Sequence, residues 1–170
     1  MQPFNDHTKN ILNAIKVERQ SNEEKIAVKE QLIELVMFKI GKTGYAFYGS
    51  DIKEILPYET IAFVPGCPEV ILGIINVRGD IESVLNIHKI LNKEQPTPTR
   101  HSRITIAEQN GIRSGILVDS VEDVVSIPRS KIFGSISTLD KDIRDFVDQI
   151  TTYQGQYITI LDIGKLFKTL

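Results

Sequence analysis

The sequence has 170 residues and is 41% hydrophobic, enough for one compact domain or two small subdomains sharing a core. Its formal net charge of −2 leaves no electrostatic footprint for a nucleic-acid or acidic-membrane partner. No apolar run approaches the roughly 18 residues of a membrane span, and the lone Cys67 excludes an internal disulfide. The start, Met1-Gln2-Pro3-Phe4-Asn5-Asp6, lacks the basic region and apolar core of a signal peptide, so a cytoplasmic location is expected.

Residues 1–31 read as an extension of mixed charge. Ile11 with Ile15, and Leu12 with Ile15, have helical spacing, while Val17, Ile26 and Val28 add scattered apolar positions. The spacing predicts a short amphipathic helix, either solvated or docked on the domain or a partner.

From Leu32 the texture changes to short β-like runs divided by turns. Leu35 to Ile40 reads as a strand, Gly41-Lys42-Thr43-Gly44 as a hairpin turn, and Tyr45 to Tyr48 as the returning strand. Asp51 to Leu56 is a third strand, stopped by Pro57. Ile71 to Val77 and Ile81 to Ile87 flank Arg78-Gly79-Asp80 as a second hairpin. His88-Lys89-Ile90-Leu91 reads as a helical turn, followed by a polar, proline-punctuated linker from Asn92 to Ser102.

The second half repeats the layout. Arg103 to Glu108 and Ile112 to Asp119 flank Asn110-Gly111, the strongest short hairpin signal. Val121 to Pro128 follows as a strand ended by proline. Asp140 to Ile150 reads as an acidic helix or loop, Gln156 to Asp162 as a strand and Gly164 to Phe167 as a helical turn. Gly79 to Leu91 lies without gaps over Gly155 to Phe167, and Ser50 to Ile55 over Asp119 to Val124. Two matched blocks in the same order predict a duplicated fold: two small barrels, roughly 32–92 and 103–170, that close their own edges and share an apolar interface.

Catalytic patterns are missing from the sequence. There is no phosphate loop, no dinucleotide fingerprint and no nucleophile elbow. His7, His88 and His101 have no partners at ligand spacing, which argues against zinc. Cys67, between Pro65-Gly66 and Pro68, suits a structural role better than a nucleophilic one. Asp140, Asp142, Asp145 and Asp148 lack the loop spacing of a calcium site and read as a solvated face. No cofactor or metal is expected. Arg78 stands apart: it follows an apolar strand and precedes Gly79, which permits a tight turn. An arginine beside buried strands calls for a carboxylate, and Glu54 is the best candidate. The alternative is an Arg78 simply exposed at the turn.

Ile61 to Gly79, containing Val64-Pro65-Gly66-Cys67-Pro68 and Gly73-Ile74-Ile75-Asn76-Val77-Arg78-Gly79, resembles the signature segment of CheW-like domains. Ile52-Lys53-Glu54-Ile55, Gly115 to Val124 and Leu161 to Phe167 match further blocks of that family in the same order. The resemblance implies a mainly β fold of two SH3-like, five-stranded barrels with short helices. It also implies a non-catalytic adaptor that bridges the cytoplasmic tip of a methyl-accepting receptor to the regulatory domain of a CheA-type histidine kinase. By motif match the partner-binding positions are Ile52, Glu54, Gly73, Asn76, Arg78, Gly79, Val121 and Val124. The implied receptor groove lies between the barrels at Ile52, Val121 and Val124, and the implied kinase contact is on the first barrel. One strand departs from the family: Asp80 to Ile87 carries Glu82 and Ser83 where an apolar run is usual. That departure motivates a second expectation, a decoy module that binds one partner and blocks assembly.

Overall fold

A computed structural model of the chain describes residues 13–18, 30–134, 137 and 139–170. The chain divides into two units, Met1–Leu32 and Ile33–Leu170. In the first, residues 13–18 form a helix, α1, whose side chains are exposed, Ile15 and Val17 among them. Ile11, Leu12, Ile26 and Val28 lie outside the described residues.

The second unit is built from strands. The first half of the duplicated sequence supplies β1 (Leu32–Ile40), β2 (Thr43–Tyr48), β3 (Ile52–Pro57), β4 (Ile71–Val77), β5 (Asp80–Leu85) and helix α2 (Ile87–Ile90). The second half supplies β6 (Arg103–Gln109), β7 (Ile112–Val118), β8 (Ser120–Pro128), β9 (Ile132–Gly134), α3 (Lys141–Arg144), β10 (Val147–Tyr153), β11 (Gln156–Leu161) and α4 (Ile163–Phe167). The acidic stretch expected as helix or loop is both a helix and the start of β10. The two-residue alternation is lost there, because Val147 and Ile150 stand three apart with Asp148 and Gln149 between them and the register shifts at a bulge.

The strands form a five-stranded sheet, β3-β6-β7-β5-β4, and a six-stranded sheet, β8-β1-β2-β11-β10-β9. The sheets do not follow the halves 32–92 and 103–170. Each half gives its first hairpin, β1–β2 or β6–β7, to the sheet built from the remaining strands of the other half. Each exchanged hairpin is joined on one side by a parallel pair, Val84 with Gly115 and Ile160 with Ala46, at equivalent positions of the duplication. Hairpin signals specify which strands pair locally; they carry no information about which sheet a hairpin joins, and sequential strands are neighbours only about two-thirds of the time.

Strand alternation sorts the apolar side chains into three clusters. Ile75, Val77, Val84, Ile104, Ile106 and Leu117 fill the five-stranded barrel. Leu35, Met37, Ala46, Ile127, Ile132, Ile158 and Ile160 fill the six-stranded one. Residues of opposite pleat, among them Phe38, Tyr45, Phe47, Leu85, Ile116 and Leu161, form a third cluster that both sheets share and that α2 and α4 cover. Leu85 and Val84 thus face different cores from adjacent positions, as the two-residue period requires. The two short helices begin alike: Asn86 accepts from the Lys89 amide at 3.1 Å and Asp162 from the Lys165 amide at 3.0 Å, satisfying amides that a first turn leaves unpaired.

The sixth strand has a counterpart in the five-stranded barrel. Phe133 of β9 pairs with Ile150, and at the equivalent place Ala62 bridges Ile74. There the chain runs on through Val64-Pro65 and Pro68, which remove strand donors, so the pairing stays a single bridge. The five strands expected of each barrel are therefore five and six.

Candidate partner-binding site

The β4–β5 hairpin turns on two residues, Arg78 at φ 55° and Gly79 at φ 95°, the left-handed pair of a type I′ turn whose twist matches its strands. Asn76 Oδ1 accepts from the Gly79 amide at 2.8 Å and holds the turn. Arg78 donates through Nη2 to Glu54 Oε1 at 2.6 Å. β3 and β4 are the two edges of the five-stranded sheet, so this ion pair links the edges that the curl of the sheet brings near each other. The expected partnership is present, but its burial is not: the side chains are 80% and 20% exposed respectively. The guanidinium reaches along the surface from the turn, where water screens it, so the pair is weaker than a buried one.

Gly73 has a different task. At φ +149°, an ideal Cβ there would stand 2.2 Å from the Ala62 carbonyl oxygen. It marks the β4 bulge where the 60s segment crosses, and its role is close packing.

Ile52 and Glu54 of β3 line a shallow depression with Val36 of β1 and Val124 of β8, edged by Glu34 and Lys53. β3 belongs to one sheet and β1 and β8 to the other, so the depression is the seam between the barrels. Val124 is 48% exposed, whereas Ile52 and Val121 are half-buried and pack on the shared core. The structure thus brings Ile52, Glu54 and Val124 together and links Arg78 to them through Glu54. Asn76, Gly79 and Gly73 serve the hairpin and its crossing.

Two polar features near the site were not legible as pairs. Glu82 is 8% exposed and meets Arg113 Nε at 2.9 Å; beside it Ser83 and Ser114 share a hydroxyl hydrogen bond of 2.9 Å. The departure at Asp80 to Ile87 is accommodated by matching polar residues on β7. His88, read as an element end, is 1% exposed, with Nε2 2.8 Å from Asp119 Oδ1. Asp119 Oδ2 also accepts from the Gly41 amide at 2.6 Å, so this carboxylate ties α2 to the β1–β2 turn. These contacts join residues far apart in sequence, and no local spacing announces them. On β8, hydrogen bonds from Ser120 and from Lys39 hold the Glu122 carboxyl below its ordinary value. Among the described residues no group of three or more His, Cys, Asp or Glu side chains is placed to hold a metal, and no helix is long and apolar enough to cross a membrane.

Two curled sheets that exchange hairpins, enclose a common apolar layer and leave a shallow depression at their seam define a double-barrel β protein. The chain belongs to the CheW-like domain family, which matches residues 34–170. It is 28% identical over 132 residues to the chemotaxis protein CheW of Bacillus subtilis, covering 78% of this chain and 85% of that protein. The CheW of Thermotoga maritima is 27% identical over 144 residues, covering 85% of this chain and 92% of that protein. Among solved structures, the scaffolding protein TtCheW from Thermoanaerobacter tengcongensis matches with a TM-score of 0.73 and 29% identity, covering 81% of this chain and 94% of that one.

Proposed function

We propose that this chain is a non-catalytic adaptor in the cytoplasm, coupling a methyl-accepting chemotaxis-type receptor to a CheA-type histidine kinase. The observation that carries the reading is the seam depression, where Ile52, Glu54 and Val124 converge from both barrels. A shallow, half-apolar surface with a pinned carboxylate suits the end of an amphipathic helix, whose apolar face lies on it while its polar flank meets the rim. The receptor tip occupies this seam, and the kinase regulatory domain binds the first barrel around the Asn76 to Gly79 hairpin. Signal passes as a change in the relative geometry of the bound partners.

Reconstitution with receptor and kinase tests this. The adaptor raises receptor-dependent kinase activity, and Val124→Asp, at an exposed position, weakens receptor binding without lowering the thermal midpoint. An unchanged receptor affinity in that variant contradicts the seam assignment. Lowered kinase activity on adding the wild-type chain identifies a decoy instead.

A further inference from the structure

Among the described residues the chain passes from one sheet to the other at two places. Gly49–Asp51 leads from β2 in the six-stranded sheet to β3 in the five-stranded one, and Asp119 alone leads from β7 back to β8. Both seam strands therefore start at a crossing: β3 carries Ile52 and Glu54, and β8 carries Val121 and Val124. A few residues at the ends of elements are what absorb the change when packed bodies rotate. The shared apolar layer holds the sheets together, but apolar burial has no preferred direction. An angle between the barrels calls for directional contacts at the crossings.

The two crossings are held differently. At the first, Gln109 donates through Nε2 to Asp51 Oδ2 at 3.2 Å. Gln109 ends β6 and Asp51 precedes β3, which are neighbours in the five-stranded sheet, so this bond stays within one sheet. At the second, Asp119 places its two carboxylate oxygens on groups attached to different sheets. Oδ2 accepts from the Gly41 amide at 2.6 Å, at the β1–β2 turn of the six-stranded sheet. Oδ1 lies 2.8 Å from Nε2 of His88 on α2, the helix that follows β5 of the five-stranded sheet. A carboxylate only accepts, so Nε2 carries the proton. His88 Nδ1 is buried with no hydrogen-bond partner, which leaves Asp119 to orient the ring. The duplication places Gly164 over His88, and there Gln109 occupies the space that a side chain would need. An imidazole at this place is thus not a requirement of the fold. Of the two crossings, only the second has a hydrogen-bonded bridge from sheet to sheet.

We propose that Asp119 and His88 are positioning residues that set the angle between the barrels and carry receptor occupancy of the seam to the first barrel. A helix end seated on Val121 and Val124 displaces the start of β8. Asp119, two residues before Val121, passes the shift through His88 to α2 and β5. β5 forms the hairpin with β4 that turns at Arg78 and Gly79, so that turn moves with it. This rests on the adaptor reading and names the residues through which it works.

The test uses the full chain with Cys67→Ser and spin labels at Phe63→Cys and Tyr157→Cys, exposed positions of the first and second barrels. Pulsed electron paramagnetic resonance gives the label distance, and receptor-dependent kinase activity is measured in parallel. His88→Leu removes the donor at similar volume, and Asp119→Asn keeps the shape but weakens both acceptors. Gln109→Met breaks the bond that stays within one sheet. His88→Leu and Asp119→Asn broaden or shift the label distance and lower receptor-dependent activation at least about threefold. Their affinities for the separate receptor tip and kinase regulatory domain stay at wild-type values. His88→Gln, which keeps a donor, restores both readouts, and Gln109→Met leaves both as in the wild type. A wild-type distance in the folded His88→Leu and Asp119→Asn chains overturns the proposal, as does equal broadening in Gln109→Met. Full activation despite a changed distance overturns it too, and leaves the adaptor reading intact. A wild-type chain that supports no activation overturns the adaptor reading, and with it the transmission from seam to hairpin.

Discussion

The two barrels solve one closure problem with different chemistry. In the five-stranded barrel Glu54 on β3 meets Arg78 at the β4–β5 turn. At the equivalent place in the six-stranded barrel, Asp123 on β8 accepts a hydrogen bond from Tyr153 at 2.6 Å, beside the β10–β11 turn. Both turns have the same left-handed pair, Arg78-Gly79 and Gln154-Gly155. The acid on the third strand is retained, while its partner moves from the turn to the residue before it. What the duplication preserves is a polar link from the third strand of each repeat to its last hairpin, and the groups that make it can change.

The sharpest way to break this equivalence is at the bulge. Gly73 corresponds to Gln149, and both strands shift register there. Gly73→Ala should be among the most damaging single changes, because the side chain meets backbone and the φ is unfavourable, at about 1–3 kcal/mol for the strain alone. Chemical denaturation measures it, and a small or absent loss would show that the 60s segment moves aside.

The shared core tests whether the barrels depend on each other equally. Leu85 and Leu161 are equivalent and fully buried in the common layer. Replacing either by alanine costs about 2–5 kcal/mol, and the two losses should agree within about 1 kcal/mol, with one cooperative transition in each case. Two separate transitions would mean that the barrels melt independently. The helix caps come next: Asn86→Ala and Asp162→Ala each cost about 0.5–2 kcal/mol, read from the shift in denaturation midpoint.

The closing links themselves should be weak. Arg78→Ala costs less than about 1 kcal/mol, because the guanidinium is largely in water. Tyr153→Phe costs at most about 1.5 kcal/mol. Smaller still is Glu122, whose carboxyl Ser120 and Lys39 hold below its ordinary value of 4.5. A lowered folded-state value means stability that is present above pH 4.5 and lost as pH falls through the folded value. Glu122→Gln should therefore flatten part of the acid limb of the stability curve and leave neutral pH nearly unchanged.

Much of the fold was legible along the chain because its signals are local. Asn110-Gly111 and Arg78-Gly79 need left-handed backbone at consecutive residues, and apolar alternation marked most of the strands. The Glu54–Arg78 contact followed from the need to pair a charge beside apolar strands, and an exposed Arg78 was the alternative; the molecule combines the two, paired and 80% exposed, because the guanidinium stem runs along the surface, which is a tertiary fact. β9 and β10 were missed because Phe133 is an exposed edge residue and Asp148-Gln149 interrupts the pattern. Glu82–Arg113 and His88–Asp119 were invisible because each joins residues 31 apart, one from each half.

The amino-acid order alone determined a duplicated, turn-punctuated β chain with an apolar interface and a signature at Val64 to Gly79. Those properties arise from periodicity and turn chemistry, which act over a few residues. Only the tertiary structure decided that the repeats exchange their first hairpins, that Ile52 and Val124 meet at one seam, and which barrel end carries charge. These depend on which sheet a hairpin joins, and that choice is made by burying the common apolar layer between strands distant in sequence.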